Sequence, residues 1–107
     1  MKTHAHQARE HALRRARDRI GVPLTATQVA HIVDQIHRGV ATPIWKESNS
    51  RTWFLVTLVG EDSVEQAVAI YGRKTKTIHT FLTVHQAKRT LDEHCASRLL
   101  DALVDLR

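Results

Sequence analysis

Apolar positions along the chain change period twice. From residue 5 to 20, Ala5, Ala8, Ala12, Ala16 and Ile20 recur at helical spacing, with Leu13 beside them. The stripe is thin and mostly alanine, so this helix can approach its neighbour closely. Gly21-Val22-Pro23 stops it. A second helix starts at Thr25-Ala26-Thr27-Gln28, a capping box in which the threonine hydroxyl accepts an orphan amide and the glutamine reaches back to the cap. Val29, Ile32, Val33, Ile36 and Val40 hold its apolar face, and Gly39 marks its end.

The period shortens after Pro43. Thr52 to Val59 is rich in β-branched and aromatic residues, with apolar side chains on both faces. Gly60-Glu61-Asp62-Ser63 reads as a turn, and Val64 to Tyr71 alternates, with Val64, Val68 and Ile70 on one side. Gly72-Arg73-Lys74-Thr75-Lys76 is a second turn, Thr77 to Leu82 a third strand, and Ile44 to Lys46 a short leading strand. Helical spacing returns in Leu91, Cys95, Leu99, Ala102, Leu103 and Leu106, behind a Thr90-Leu91-Asp92-Glu93 capping box; a Thr-x-x-Gln at Thr83 allows an earlier start. The predicted fold class is α+β in one domain over 1–107. It has two N-terminal helices, an antiparallel meander of three or four strands, and a C-terminal helix. The last helix is expected to cap the sheet or to meet a second copy, giving a monomer or a homodimer through that helix.

With 107 residues, 42% of them hydrophobic and 25% charged, the chain can bury one core without disulfide or metal staples. Its apolar runs, Phe54-Leu55-Val56 among them, are far short of the roughly 18 residues a span requires, so no membrane partner is expected. There is no apolar signal segment at the N-terminus, and the single Cys95 cannot form an internal disulfide. Both point to a reducing, cytoplasmic setting. Charge adds a functional hint. The net value is +5, concentrated in residues 1–20, with six bases and two acids, and in residues 73–89, with five bases and no acid. On one face of the fold, these two segments would make a phosphate-binding surface.

Four stretches resemble a known family. They are His11-Ala12-x-x-Arg15 on the first helix, Leu24-Thr25 opening the second, Tyr71-Gly72 before the basic turn, and Thr77-Ile78-His79-Thr80-Phe81-Leu82 on the last strand. Together, over roughly residues 10–82, they resemble small phage and toxin-like domains of the barnase, colicin D and RelE superfamily. The resemblance implies a helix packed by a short antiparallel sheet and a metal-independent ribonuclease activity. Its partner would be RNA (tRNA, mRNA or ribosome), with no cofactor. It implies catalytic positions at His11, Arg15 and Thr80. The C-terminal helix is an addition to that pattern; laid over the open face of the sheet, it would cover the expected active surface.

The residues themselves carry compatible chemistry. Cleavage of RNA through its 2′-hydroxyl needs a base, an acid and cations around the phosphate. His11 or His79 can fill either proton role near neutral pH. His11 and Arg15, four apart, share a helix face, whereas His79 and Thr80 point to opposite faces of a regular strand, so only one of them is expected in a site. The candidate catalytic set is therefore His11, Arg15, His79 and Thr80, with Arg14, Arg51, Arg73, Lys74 and Lys76 as nucleic-acid contacts and no metal. His4-x-His6 with His11 has poor metal-ligand spacing. His31 and His37 border an apolar stripe, and His94-Cys95 could suggest a thiol nucleophile, but Cys95 falls on a stripe and reads as a buried, inert thiol. Trp45, Trp53, Phe54, Tyr71 and Phe81 are stacking candidates that the core also needs. Two other functions remain open: a non-catalytic phage-type module that binds a host protein, and a basic DNA-binding accessory protein. The latter lacks a recognition helix after a tight turn.

Overall fold

The computed structural model describes residues 4–60 and 62–105. Helix α1 spans His4–Arg15 and continues as a π-helical turn, Ala16–Ile20, that Gly21 closes in the left-handed region at φ +80°. The expected helix over 5–20 is thus α-helical only to Arg15. Helix α2 spans Ala26–His37, and its predicted capping box is formed: Thr25 accepts from the Gln28 amide and Gln28 accepts from the Thr25 amide. Gly39, at φ +75°, takes the chain away after α2. Strands β1 (Thr42–Lys46), β2 (Arg51–Val59), β3 (Val64–Gly72) and β4 (Thr77–Thr83) then form one antiparallel sheet in the order β1-β2-β3-β4.

The chain ends in two helices where one was expected. Helix α3 (Val84–Thr90) starts from a formed capping box between Thr83 and Gln86. Helix α4 spans Glu93–Asp105. The expected box at Thr90 is absent because Thr90 ends α3, its hydroxyl donating to the Gln86 carbonyl at 3.4 Å. Leu91 breaks the helix in an extended conformation and is buried. The Asp92 carboxylate then accepts the Cys95 amide at 2.8 Å and caps α4. Leu106, the last residue of the predicted stripe, lies outside the described residues.

The two-faced apolar character of β2 and β3 dictates three layers. On one face Val56, Leu58, Ala67, Ala69, Tyr71, Ile78 and Phe81 meet Ala12 and Ala16 of the first helical segment and Val29, Ile32 and Ile36 of α2. The small side chains of Ala12 and Ala16 let the first helical segment lie close against β4, where Arg19 Nη1 donates to the Phe81 carbonyl at 3.3 Å. On the other face Ile44, Trp53, Leu55, Val68 and Ile70 meet Ala87, Leu91, Cys95, Leu99 and Ala102 from the C-terminal helices. Among the described residues no helix is long and apolar enough to cross a membrane.

Strand β4 is irregular at one point. Thr80 pairs with Ile70, but Tyr71 pairs with Ile78, so His79 is an extra residue without a cross-strand partner. This β-bulge allows Ile78 and Phe81, three apart, to enter the same core.

If α4 is integral to the second core, truncating its fully buried Leu99 is costly. Leu99→Ala is expected to lose about 2–5 kcal/mol in urea or guanidinium unfolding. A loss below about 1 kcal/mol would mean that α4 contributes little to the fold.

Candidate nucleic-acid site

A cleft of about 530 Å³ opens at one end of the sheet, lined by Gln7, His11, Arg51, Ile70, Thr75, His79 and Thr80. Residues distant in sequence supply it. Arg51 shares a strand face with Trp53 and Leu55, and Thr80 is the cross-strand partner of Ile70, so both lie on the face that carries α3 and α4. The C-terminal helices cover the other end of that face, around Leu55, Val68 and Leu82, and contribute nothing to the cleft. The C-terminal helix added after the strands thus lies on this face of the sheet and leaves the cleft open. Helix α1, lying along β4, brings Gln7 and His11 in as a side wall.

The bulge decides the rest of the geometry. On a regular strand His79 and Thr80 would face opposite ways, and only one could reach a site. The extra residue breaks the alternation, and both side chains line the cleft. The His79 ring lies over Gly72, where an added Cβ would run into Nε2 and Cδ2 of the imidazole and stand 2.9 Å from Thr75 Oγ1. Glycine at 72 is thus required by close approach, not by backbone conformation. Thr75 Oγ1 and His79 Nε2 hydrogen-bond at 2.9 Å, which fixes the ring. The Thr80 hydroxyl is buried with no hydrogen-bond partner within the protein.

Two imidazoles stand in a cationic frame. Arg15 Nε donates to His11 Nε2 at 3.3 Å, so Nε2 is an acceptor and the neutral ring carries its proton on Nδ1. Partial burial, then the charges of Arg15, Arg14 and Arg19, hold His11 below its ordinary pKa of 6.5. Partial burial, then Arg51 and His11, do the same to His79. Arg51 is exposed and stands 3.8 Å from the Glu47 carboxylate. No carboxylate lines the cleft.

Other predicted residues fall elsewhere. Arg14 borders a separate recess with Glu10, Leu13, Arg17 and Pro23, on another flank of α1. Arg73 and Lys74 are exposed at the β3–β4 turn, with the Arg73 amide donating to the Ser50 carbonyl at 2.8 Å. Lys76 lines a notch on the α2 side of that turn. Trp53, Tyr71 and Phe81 are buried, Trp53 and Tyr71 in edge-to-face pairs with Trp45 and Phe54; none of the five lines the cleft. The core has claimed the stacking candidates. Tyr71 also takes His37 as a partner, at 2.5 Å. Cys95 is buried, and burial followed by the nearby Asp92 pushes its thiol up, as expected of an inert cysteine. The side chains of His4, His6 and His94 lie outside the described residues; among those described, no group of three or more His, Cys, Asp or Glu could hold a metal.

Gln7, Thr75 and Gly72 were not predicted as site residues. Thr75 carried a readable signal, standing four residues before His79 at the close of a tight turn. Gln7 carried none. A larger groove of about 640 Å³ lies between α2 and β2, with walls including Ile32, Val56, Val40 and Val59 and His31 as its one titratable group. Without fixed charge it has no means to grip a phosphate.

No protein-family model matches this chain, and no curated protein or solved structure does.

Gly72→Ala is expected to push the His79 ring off Thr75 and out of its partly buried seat. Its titration, followed by NMR of the imidazole, should move up toward 6.5. An unchanged titration would show that the ring does not depend on the missing Cβ.

Proposed function

We propose that this protein is an RNA-directed, toxin-like endoribonuclease that cleaves through the 2′-hydroxyl without a metal ion. The observation that carries the reading is the convergence of His11, His79, Arg51 and Thr80 on one open cleft. Those residues come from α1, β2 and β4, and no core requirement draws two imidazoles and a guanidinium to one place. The resemblance of His11-Ala12-x-x-Arg15 and the last strand to the barnase, colicin D and RelE superfamily supports the same reading.

The chemistry follows from the two rings. A neutral imidazole takes the proton of the 2′-hydroxyl as O2′ attacks phosphorus. The bond from phosphorus to O5′ breaks, and a protonated imidazole delivers its proton to O5′. The products are a 2′,3′-cyclic phosphate and a 5′-hydroxyl. Arg51 at the cleft and Arg15 beside His11 stabilise the charge that builds on the phosphoryl oxygens. We assign the acid to His11, because Arg15 opposes its protonated form and makes it the readier donor. His79, seated against Thr75, is the base.

The first test is cleavage of total RNA and of translating ribosomes in EDTA. His11→Ala and His79→Ala should each lower the rate about 10²–10⁴-fold. A substrate with sulfur in place of the bridging 5′-oxygen needs no acid. It should rescue His11→Ala and leave His79→Ala inactive; rescue of the other variant would exchange the roles.

The pH profile follows from the direction of the shifts. kcat/KM rises as the base loses its proton and falls as the acid loses its own, and it reports the free protein. Both rings are held below 6.5, so both limbs should lie on the acidic side of 6.5, with activity falling above it. A rate that climbs through pH 8 would refute the paired-histidine mechanism.

A second reading, a non-catalytic module that binds a host protein, rests on the apolar groove between α2 and β2, rimmed by exposed Val40 and Val59. Failure to cleave any RNA would leave that reading in possession.

A further inference from the structure

The cleft has a neighbour. A notch of about 250 Å³ lies on the α2 flank of α1, lined by Arg9, Ala26, Val29, Ala30, Val33, Thr75, Lys76 and Thr77. Its floor is apolar and made of small or β-branched residues. Its cations, Arg9 from α1 and Lys76 from the turn, are both exposed. Thr75 is the one residue common to the notch and the cleft, so the two share the β3–β4 turn as a wall.

Lys76 has an unusual backbone. It sits at φ +55°, in the left-handed region, and among the described residues no other non-glycine has a positive φ. Glycine would occupy that position without the steric cost that a side chain carries there. A lysine held in that conformation puts its ammonium where the turn meets the notch, and such retained strain points to use.

We infer that the notch is a nucleotide subsite: it takes the base of the second nucleotide from the cleaved phosphate, with Arg9 and Lys76 on the phosphate that joins it to the first. The inference rests on the RNA reading of the cleft. The volume suits one planar ring system, and the apolar floor of Ala30 and Val33 suits a base face. The hydroxyl-bearing residues of the lining, Thr75 and the buried Thr77, come from the turn and β4, whereas the α2 floor is apolar, so a base held there by its face is taken with little regard to sequence. The strand crosses the turn between the two sites, past exposed Arg73 and Lys74. The ligand is thus single-stranded RNA of at least three nucleotides; a duplex could not release a base into the notch.

The test measures binding apart from cleavage. The probes are a dinucleotide and a hexanucleotide of mixed sequence, both 2′-O-methylated and so inert to 2′-hydroxyl chemistry, followed by fluorescence anisotropy. The wild type should bind the hexanucleotide more tightly, and Ala30→Leu, which fills the notch from an exposed helix position, should reduce that advantage about tenfold. Arg9→Ala, and Lys76→Gly, which also relieves the left-handed position, should each lower the salt slope of hexanucleotide binding by about 0.7. Circular dichroism checks that each variant is folded.

If Ala30→Leu keeps the full length advantage, no base sits in the notch and the inference is overturned; the cleavage reading then stands or falls on His11→Ala alone. Notch-dependent binding without cleavage of any RNA would support the subsite and remove the catalytic reading. If neither probe binds, both fail. A hybridised duplex that binds as well as the single strand would also overturn the inference.

Discussion

Two central strands with apolar side chains on both faces set the terms for this fold. β2 and β3 cannot leave either side in water, so the sheet must be covered twice. The chain supplies one helical layer before the strands and one after them, and the order of elements follows from that need. The coverage is incomplete in one place. At the end of the sheet where β2 begins and β4 kinks, the C-terminal helices stop short and α1 stands only at the side. The cleft occupies that gap.

The two layers differ in how they meet the sheet. α1 presents alanines to alanines on β3 and lies close against β4, which lets His11 stand over the strand edge while its neighbours on the helix remain in the core. α3 and α4 present larger residues, Leu91, Leu99 and Cys95, to Trp53, Leu55 and Val68. Close approach on one side and a thicker layer on the other place the His11 wall of the cleft beside the sheet without thinning the core that holds it.

Much of this was legible in the sequence. Helical periods, two Thr-x-x-Gln boxes and the turns at Gly60 and Gly72 specify six elements and an antiparallel order, because each depends on residues a few positions apart. The break at Leu91 was not legible: its side chain fits a continuous stripe, and only its burial in the second core draws it into an extended conformation. His11 and Arg15 could be paired from spacing alone, and the arginine does meet the histidine. That His79 and Thr80 share a cleft was beyond any rule of alternation, since the bulge depends on cross-strand register. Arg51 was a candidate on charge, but its place opposite Gly72 is a fact of pairing between strands.

The bulge also bears on descent. Removing the single codon for His79 would restore strict alternation to β4, complete its ladder with β3 and leave both cores intact. A lineage could thus lose the shared facing of His79 and Thr80 in one step and keep the scaffold. In such a descendant the inward residues corresponding to Ile78 and Phe81 would be separated by two positions instead of three. That interval is a mark by which members of a lineage with and without the bulge could be sorted from sequence.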